Sequence, residues 1–167
     1  MDGPATRRHL IQLAARLVPV ENLLAGGDRP GISAICTPNP QLASLINGVE
    51  DRIAQVLGRR EPVLVRTIQR VAELERRDPF YRHQGHDVHE RCVTFLPHDQ
   101  PWTGRLPLTS PRADVQVFAA DGSDVFSTTC LVGGRPGTAG PLIERQEGAR
   151  VTTRNWNTIV RILRSPA

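Results

Sequence analysis

The chain contains no lysine: all 21 basic residues among its 167 are arginine. This absence excludes enzymes that form a lysine Schiff base and nucleotide-binding proteins whose phosphate loop depends on lysine. An anion site must therefore use arginine forks, backbone amides or neutral donors. The net charge of +4 permits polyanion binding, but 17 acidic residues are interspersed with the arginines, which is typical of solvated surface.

Cysteine is scarce, and no Cys-x-x-Cys pair is present among Cys36, Cys92 and Cys130. Their odd number and wide spacing indicate free, mostly buried thiols in a reducing compartment. The chain also lacks an apolar run of transmembrane length and an N-terminal signal sequence, so we expect a cytoplasmic protein without membrane association. No Walker loop, dinucleotide fingerprint or Gly-x-Ser-x-Gly elbow is present.

Hydrophobic spacing predicts helices alternating with short strands, which is typical of an α+β fold with two small sheets. We expect helices packed on one face of each sheet. The helices are predicted over 7–17, 41–57, 67–77, 141–146 and a C-terminal segment; the strands are predicted over 20–25, 32–37, 62–66, 91–96, 113–119 and 125–132, with Asp121-Gly122 as a hairpin turn.

The segment before the C terminus combines polar capping residues with an apolar stripe. Thr152, Thr153 and Asn155 are good helix N-cap residues. Trp156 begins a stripe at helical spacing that continues through Ile159, Val160 and Leu163. One interpretation is a C-terminal helix anchored by Trp156. The other is that Arg154, Asn155 and Asn157 hold an anion or polar ligand beside the helix N-terminus.

Four groups of segments carry a family resemblance: 62–67 with 78–80, then 93–96, 134–145 and 153–158. In this order they resemble the bacterial family catalogued as domain of unknown function 1697, from residue 6 to the C terminus. The resemblance implies two ferredoxin-like subdomains and no established reaction. We expect an N-terminal subdomain over 1–61 and a C-terminal subdomain over 62–167.

The chain departs from this family pattern in two places. The usual first strand and glycine-rich turn are missing before the first predicted helix, so we expect an exposed sheet edge and a concentration-dependent homodimer. The turn Gly134-Arg135-Pro136-Gly137 keeps the family's arginine but lacks its serine and lysine. If the family binds a ligand there, this chain should bind it more weakly.

The chain has one cluster of residue types that commonly bind metals: His83, His86 and His89, with Asp87, Glu90 and nearby His98. Imidazole is a common zinc ligand, but this spacing matches no strong zinc motif, so we expect neither a metal nor another cofactor.

Three hypotheses of different classes remain. The first is a non-catalytic binding domain for a phosphate-bearing ligand or nucleic acid, with Arg135, Arg154, Asn155 and Asn157 as the anion-binding residues. The second is a small hydrolase that uses the His83/His86/His89 region. The third is an interaction or dimerisation module.

Overall fold

The computed structural model describes residues 23–24, 34–35, 42–58, 63–97 and 100–164. The chain divides into two compact units, one formed by Met1–Ile68 with Pro166–Ala167 and the other by Gln69–Ser165. The sequence-based division at residues 61 and 62 stays a prediction. The predicted helix over 7–17 lies outside the described residues.

The first unit contributes a short antiparallel pair and one long helix. Strand β1, Leu23–Leu24, pairs with β2, Ala34–Ile35, inside the two predicted strands. Helix α1, Leu42–Leu57, confirms the helix expected from the apolar spacing. It ends at Gly58, whose positive φ of 69° suits a residue without a side chain. The strand predicted over 62–66 is wrong for residues 63–66, which form no regular structure.

The second unit is built on an antiparallel sheet of five strands. Its strands are β3 (Glu90–Phe95), β4 (Leu108–Thr109), β5 (Val115–Asp121), β6 (Asp124–Thr129) and, after the short hairpin of β7 (Leu131–Val132) and β8 (Arg135–Pro136), β9 (Thr152–Asn155). Their order across the sheet is β4-β5-β6-β3-β9. The turn between β5 and β6 contains Gly122 at a φ of 60°, which confirms the predicted hairpin.

Three helices accompany this sheet: α2 (Ile68–Arg77), α3 (Ala139–Glu147) and α4 (Trp156–Arg164). Helices α2 and α3 fall where the sequence predicts them, with ends shifted by a few residues. Together with the sheet they confirm the α+β class. No helix in the described part of the chain combines the length and apolar character needed to cross a bilayer.

The two faces of the sheet carry different cores. On one face, Ala139 and Ile143 of α3 pack against a set of aliphatic side chains, namely Leu96, Val115, Val117 and Val125. On the other face, Phe126 contacts both Phe80, which follows α2, and Trp156 of α4. The prediction that helices cover one face is therefore wrong for this sheet, because both faces are apolar and both are covered.

An ionic network ties α2 to the β5–β6 hairpin. The Arg70 Nε atom lies 2.8 Å from Oδ2 of Asp124, whose side chain is only 3% exposed. Arg70 also donates to the Asp121 carbonyl at 2.9 Å. Burial alone would lower the pKa of Arg70, but hydrogen bonds and charge from Asp124 and Asp121 outweigh it, so that pKa is raised.

Candidate functional site

The junction of β9 and α4 forms one wall of the candidate site. β9 ends at Asn155 and α4 begins at the next residue, Trp156. The Asn155 side chain accepts a hydrogen bond from the backbone N–H of Asn157 at 2.9 Å, so Asn155 is the cap among the three predicted candidates. Thr152 and Thr153 lie within β9 instead. Asn155 also pairs with Cys92 in the sheet register, which brings the helix N-terminus beside the first residues of β3.

A polar recess of about 290 Å³ lies at this junction. Its walls come from the connector before β3, the start of β3 and the start of α4. The lining residues are His83, Gln84, Gly85, Val88, His89, Glu90, Arg91, Asn155 and Asn157.

Arg91 is the cationic side chain among the described lining residues. Its Nη2 atom lies 3.4 Å from Oδ1 of Asn157, and it forms no ion pair with any described residue. α4 has no acidic residue in its first turn, so no carboxylate there competes for the helix N-terminus. The partial positive charge of that terminus adds to the charge of Arg91.

Glu90 and Arg91 lie on opposite faces of β3, because side chains alternate along a strand. Glu90 pairs with Thr129 of β6, and Arg91 pairs with Thr128. Both side chains nevertheless line the recess, which therefore wraps around the first end of the strand. Glu90 forms no ion pair with a described residue either, so the recess has an acidic side and a basic side.

The three histidines of the connector do not converge. His83 is half-buried and stacks on Phe118, with ring centroids 3.6 Å apart and an interplanar angle of 20°. His86 and His89 are exposed, and only His89 of these two lines the recess. Within the described ranges, no three His, Cys, Asp or Glu side chains lie close enough to hold a metal ion; His98 is outside them.

Arg154 lies outside the lining of the recess. It pairs with Val93 in the register and donates a hydrogen bond to the Thr153 carbonyl at 2.9 Å. The side chain is half-buried, and this burial lowers the pKa of its guanidinium. Arg154 has no ion-pair partner in the described part of the chain.

Arg135 occupies a different part of the unit. It lies exposed on β8, in the separate hairpin that precedes α3. Gly137, two residues later, approaches the Asp114 carbonyl so closely that a Cβ atom would lie 2.4 Å from it. The glycine-rich turn thus lets this hairpin pack against the start of β5, and Arg135 does not line the recess with Asn155 and Asn157.

The two described thiols differ in their burial. Cys92 is buried, and desolvation, with a smaller contribution from the charge of Glu90, raises its pKa to about 12. Cys130 is half-buried and donates to the Ala113 carbonyl at 3.3 Å. Both are free thiols, as predicted; Cys36 lies outside the described residues.

The sequence indicated part of this site and missed the rest. Asn155, Asn157 and the histidine region were singled out, but Arg91 was assigned only to a strand. The available signal was that Arg91 directly follows the polar connector and directly precedes the buried run of β3. The recess offers hydrogen-bond donors, one cation and one carboxylate, and no hydroxyl or thiol nucleophile among its described lining residues.

Comparison with protein-family models, with curated proteins and with solved structures finds no match to this chain.

Proposed function

We propose that this protein is a non-catalytic binding domain for a small ligand that carries a phosphate group, held in the recess at the start of β3. The observation that carries the proposal is the position of Arg91. Its guanidinium forms no ion pair with a described residue and lies beside Asn157 at the N-terminus of α4. A guanidinium and a helix N-terminus are both groups that proteins use to bind phosphate.

A small ligand is favoured over nucleic acid by the shape and charge of the site. The recess is concave, and Arg91 is its one cation among the described residues. A nucleic-acid surface needs several cations along an extended face, because each contacted phosphate requires its own neutralising group. Arg154 lies on the same face as Arg91, on the adjacent strand, but it is half-buried and outside the lining of the recess. Arg135 lies on the separate β7–β8 hairpin, so the recess presents a single arginine among its described lining residues.

The hydrolase alternative has less support from the described geometry. His83 stacks on Phe118, and His86 lies outside the lining, so the three histidines do not surround one point. A hydrolytic histidine also needs a nucleophile or a metal-bound water within hydrogen-bond reach.

We also propose that the chain belongs to the family that it resembles and that its subdomains are ferredoxin-like. This part of the proposal rests on sequence segments such as 134–145 and 153–158.

The test is calorimetric titration of wild-type protein with inorganic phosphate, supported by backbone amide NMR. We expect saturable binding, with shifts concentrated at Arg91, Asn155 and Asn157. Arg91→Gln should weaken binding about tenfold or more, because it removes a charge-assisted hydrogen bond. Arg82→Gln is the matched control, since Arg82 is exposed in the same connector but does not line the recess.

Two results would count against the proposal. One is the absence of saturable binding by any phosphate compound, inorganic phosphate included, and the other is equal loss of binding in the Arg91 and Arg82 variants. Tight binding of a single-stranded oligonucleotide with steep salt dependence, measured by fluorescence anisotropy, would instead support the nucleic-acid hypothesis.

A further inference from the structure

The recess has features that inorganic phosphate alone would leave unused. Its volume of about 290 Å³ has room for about ten water-sized groups. A phosphate ion beside Arg91 would leave much of that space filled with water. The residues that line the rest of the recess therefore indicate the chemistry of the remainder of the ligand.

The lining indicates that this remainder is hydrophilic. Val88 is the one aliphatic side chain among the nine described lining residues. One face of the His83 ring is already covered by Phe118. Sites for nucleobases and acyl chains are usually lined by apolar and aromatic side chains, and the described lining offers little of either.

The Glu90 carboxylate indicates which chemical group the ligand carries at the end away from its phosphate. Its carboxylate accepts hydrogen bonds and would repel a second anionic group. Glu90 lies on the face of β3 that carries Cys92 and Asn155, opposite the face of Arg91. Asn155 already uses its carbonyl oxygen to cap α4, so its remaining hydrogen-bonding group is the NH₂ donor. A hydroxyl group suits this pair, because it donates to Glu90 and accepts from Asn155.

Because Arg91 and Glu90 line opposite sides of the recess, we infer that the ligand is a phosphorylated polyol, of the chemical class of the sugar phosphates. Its phosphate lies on the Arg91 and Asn157 side of β3, and its hydroxyl groups lie on the Glu90 and Asn155 side. This inference rests on the proposed function, because it assigns the second half of a ligand whose phosphate is held by Arg91.

The experiment compares three phosphate compounds and one neutral sugar by calorimetry on wild-type protein. The probes are inorganic phosphate, ribose-5-phosphate, phenyl phosphate and ribose. We expect ribose-5-phosphate to bind about tenfold or more tightly than inorganic phosphate, because it adds hydrogen bonds to Glu90 and Asn155. Phenyl phosphate should gain no such advantage, and ribose alone should bind weakly.

The Glu90→Gln variant separates the two ends of the ligand. Glutamine keeps the shape of the side chain but removes its charge, so affinity for ribose-5-phosphate should fall about tenfold. Affinity for inorganic phosphate should stay equal or rise, because a nearby negative charge is gone. Circular dichroism melting checks that the variant folds, and the ligand series on wild-type protein needs no variant.

The outcomes distinguish this inference from the proposed function. If inorganic phosphate binds as tightly as ribose-5-phosphate, or phenyl phosphate binds more tightly, the polyol assignment is overturned and the phosphate-binding function stands. If none of the three phosphate compounds binds, both are overturned. Equal loss of inorganic phosphate and ribose-5-phosphate binding in Glu90→Gln also contradicts the assignment of Glu90 to the hydroxyl end.

Discussion

Asn155 accepts a hydrogen bond from the backbone N–H of Asn157 at 2.9 Å, and this contact joins the sheet to the last helix. Asn155 is at once the last residue of β9 and the cap of α4. The cap sets where the helix begins, and hence places Asn157 beside Arg91. One local hydrogen bond therefore shapes the wall of the recess.

Substitutions of Asn155 should separate capping from ligand binding. Asn155→Ala should lower the free energy of unfolding by about 1 kcal/mol, because a first-turn amide loses its acceptor. Asn155→Asp keeps the acceptor and should preserve stability, yet its negative charge should weaken phosphate binding. Urea unfolding and calorimetric titration of both variants provide the measurements; unchanged stability in Asn155→Ala would contradict the capping role.

Trp156 should behave as a core anchor. It is 5% exposed and contacts Phe80 with ring centroids 5.4 Å apart. Trp156→Ala should lower the free energy of unfolding by about 3–5 kcal/mol, because it leaves a cavity among the aromatic rings. The matched control is Tyr81→Ala, because Tyr81 is 74% exposed. This variant should change the free energy of unfolding by less than about 0.5 kcal/mol. Similar urea midpoints for the two variants would refute the anchor role.

The Arg70–Asp124 pair should stabilise the docking of α2 on the β5–β6 hairpin. Asp124→Asn removes the charge of a carboxylate that is almost fully buried. It should lower the free energy of unfolding by about 1.5–3 kcal/mol. Asp87→Asn is the control, because Asp87 is exposed in the connector. A double-mutant cycle with Arg70→Gln measures the coupling, and a coupling energy near zero would mean that packing alone holds α2 in place.

Cys92 should be unreactive until the protein unfolds. Its raised pKa, about 12, keeps the thiol protonated in the folded state at ordinary pH. We expect an aromatic disulfide reagent at pH 8 to label Cys92 only in denaturant, with the modified residue located by peptide mass spectrometry. Rapid labelling of native protein at Cys92 would show that the strand opens readily.

The raised pKa of Cys92 also makes the stability of the protein depend on pH. The stabilisation from the neutral Cys92 thiol is complete below its unfolded pKa, about 9, and is lost as pH rises towards about 12. Wild-type stability should therefore fall more steeply with alkaline pH than that of Cys92→Val, in urea titrations at matched ionic strength. Parallel slopes for the two proteins would contradict the burial of this thiol.

Arg154 and Arg135 should respond differently to replacement. Arg154→Met keeps an apolar stem and removes a desolvated cation without an ion-pair partner among the described residues, so stability should be equal or higher by up to about 1 kcal/mol. Arg135 is exposed, and Arg135→Ala should change stability by less than about 0.5 kcal/mol. Both variants should still bind phosphate in the recess. Loss of phosphate binding in either one would support the sequence-based anion surface instead.

The sequence predicted the elements whose signals are local. The apolar spacing within Leu42–Leu57 and Ile68–Arg77 gives each helix one apolar face, and this pattern does not depend on distant residues. Strand β9 was missed because Thr152–Asn155 is polar and has no alternating pattern. Its assignment depends on β3, which lies far away in the chain and supplies its hydrogen-bonding partners.

The candidate site, like the fold, was predictable from the sequence only in part. The sequence by itself determined that any anion site uses arginine instead of lysine, that a helix cap lies among Thr152, Thr153 and Asn155, and that Trp156 is buried. Composition, capping chemistry and helical spacing are each readable within a few residues. Only the tertiary structure decided that Arg91 meets Asn157, 66 residues later, and that Arg135 and Arg154 lie outside that recess. The physical reason is sheet register. A shift of one residue in β3 would exchange the faces of Glu90 and Arg91, and nothing in the local sequence fixes which strand they pair with.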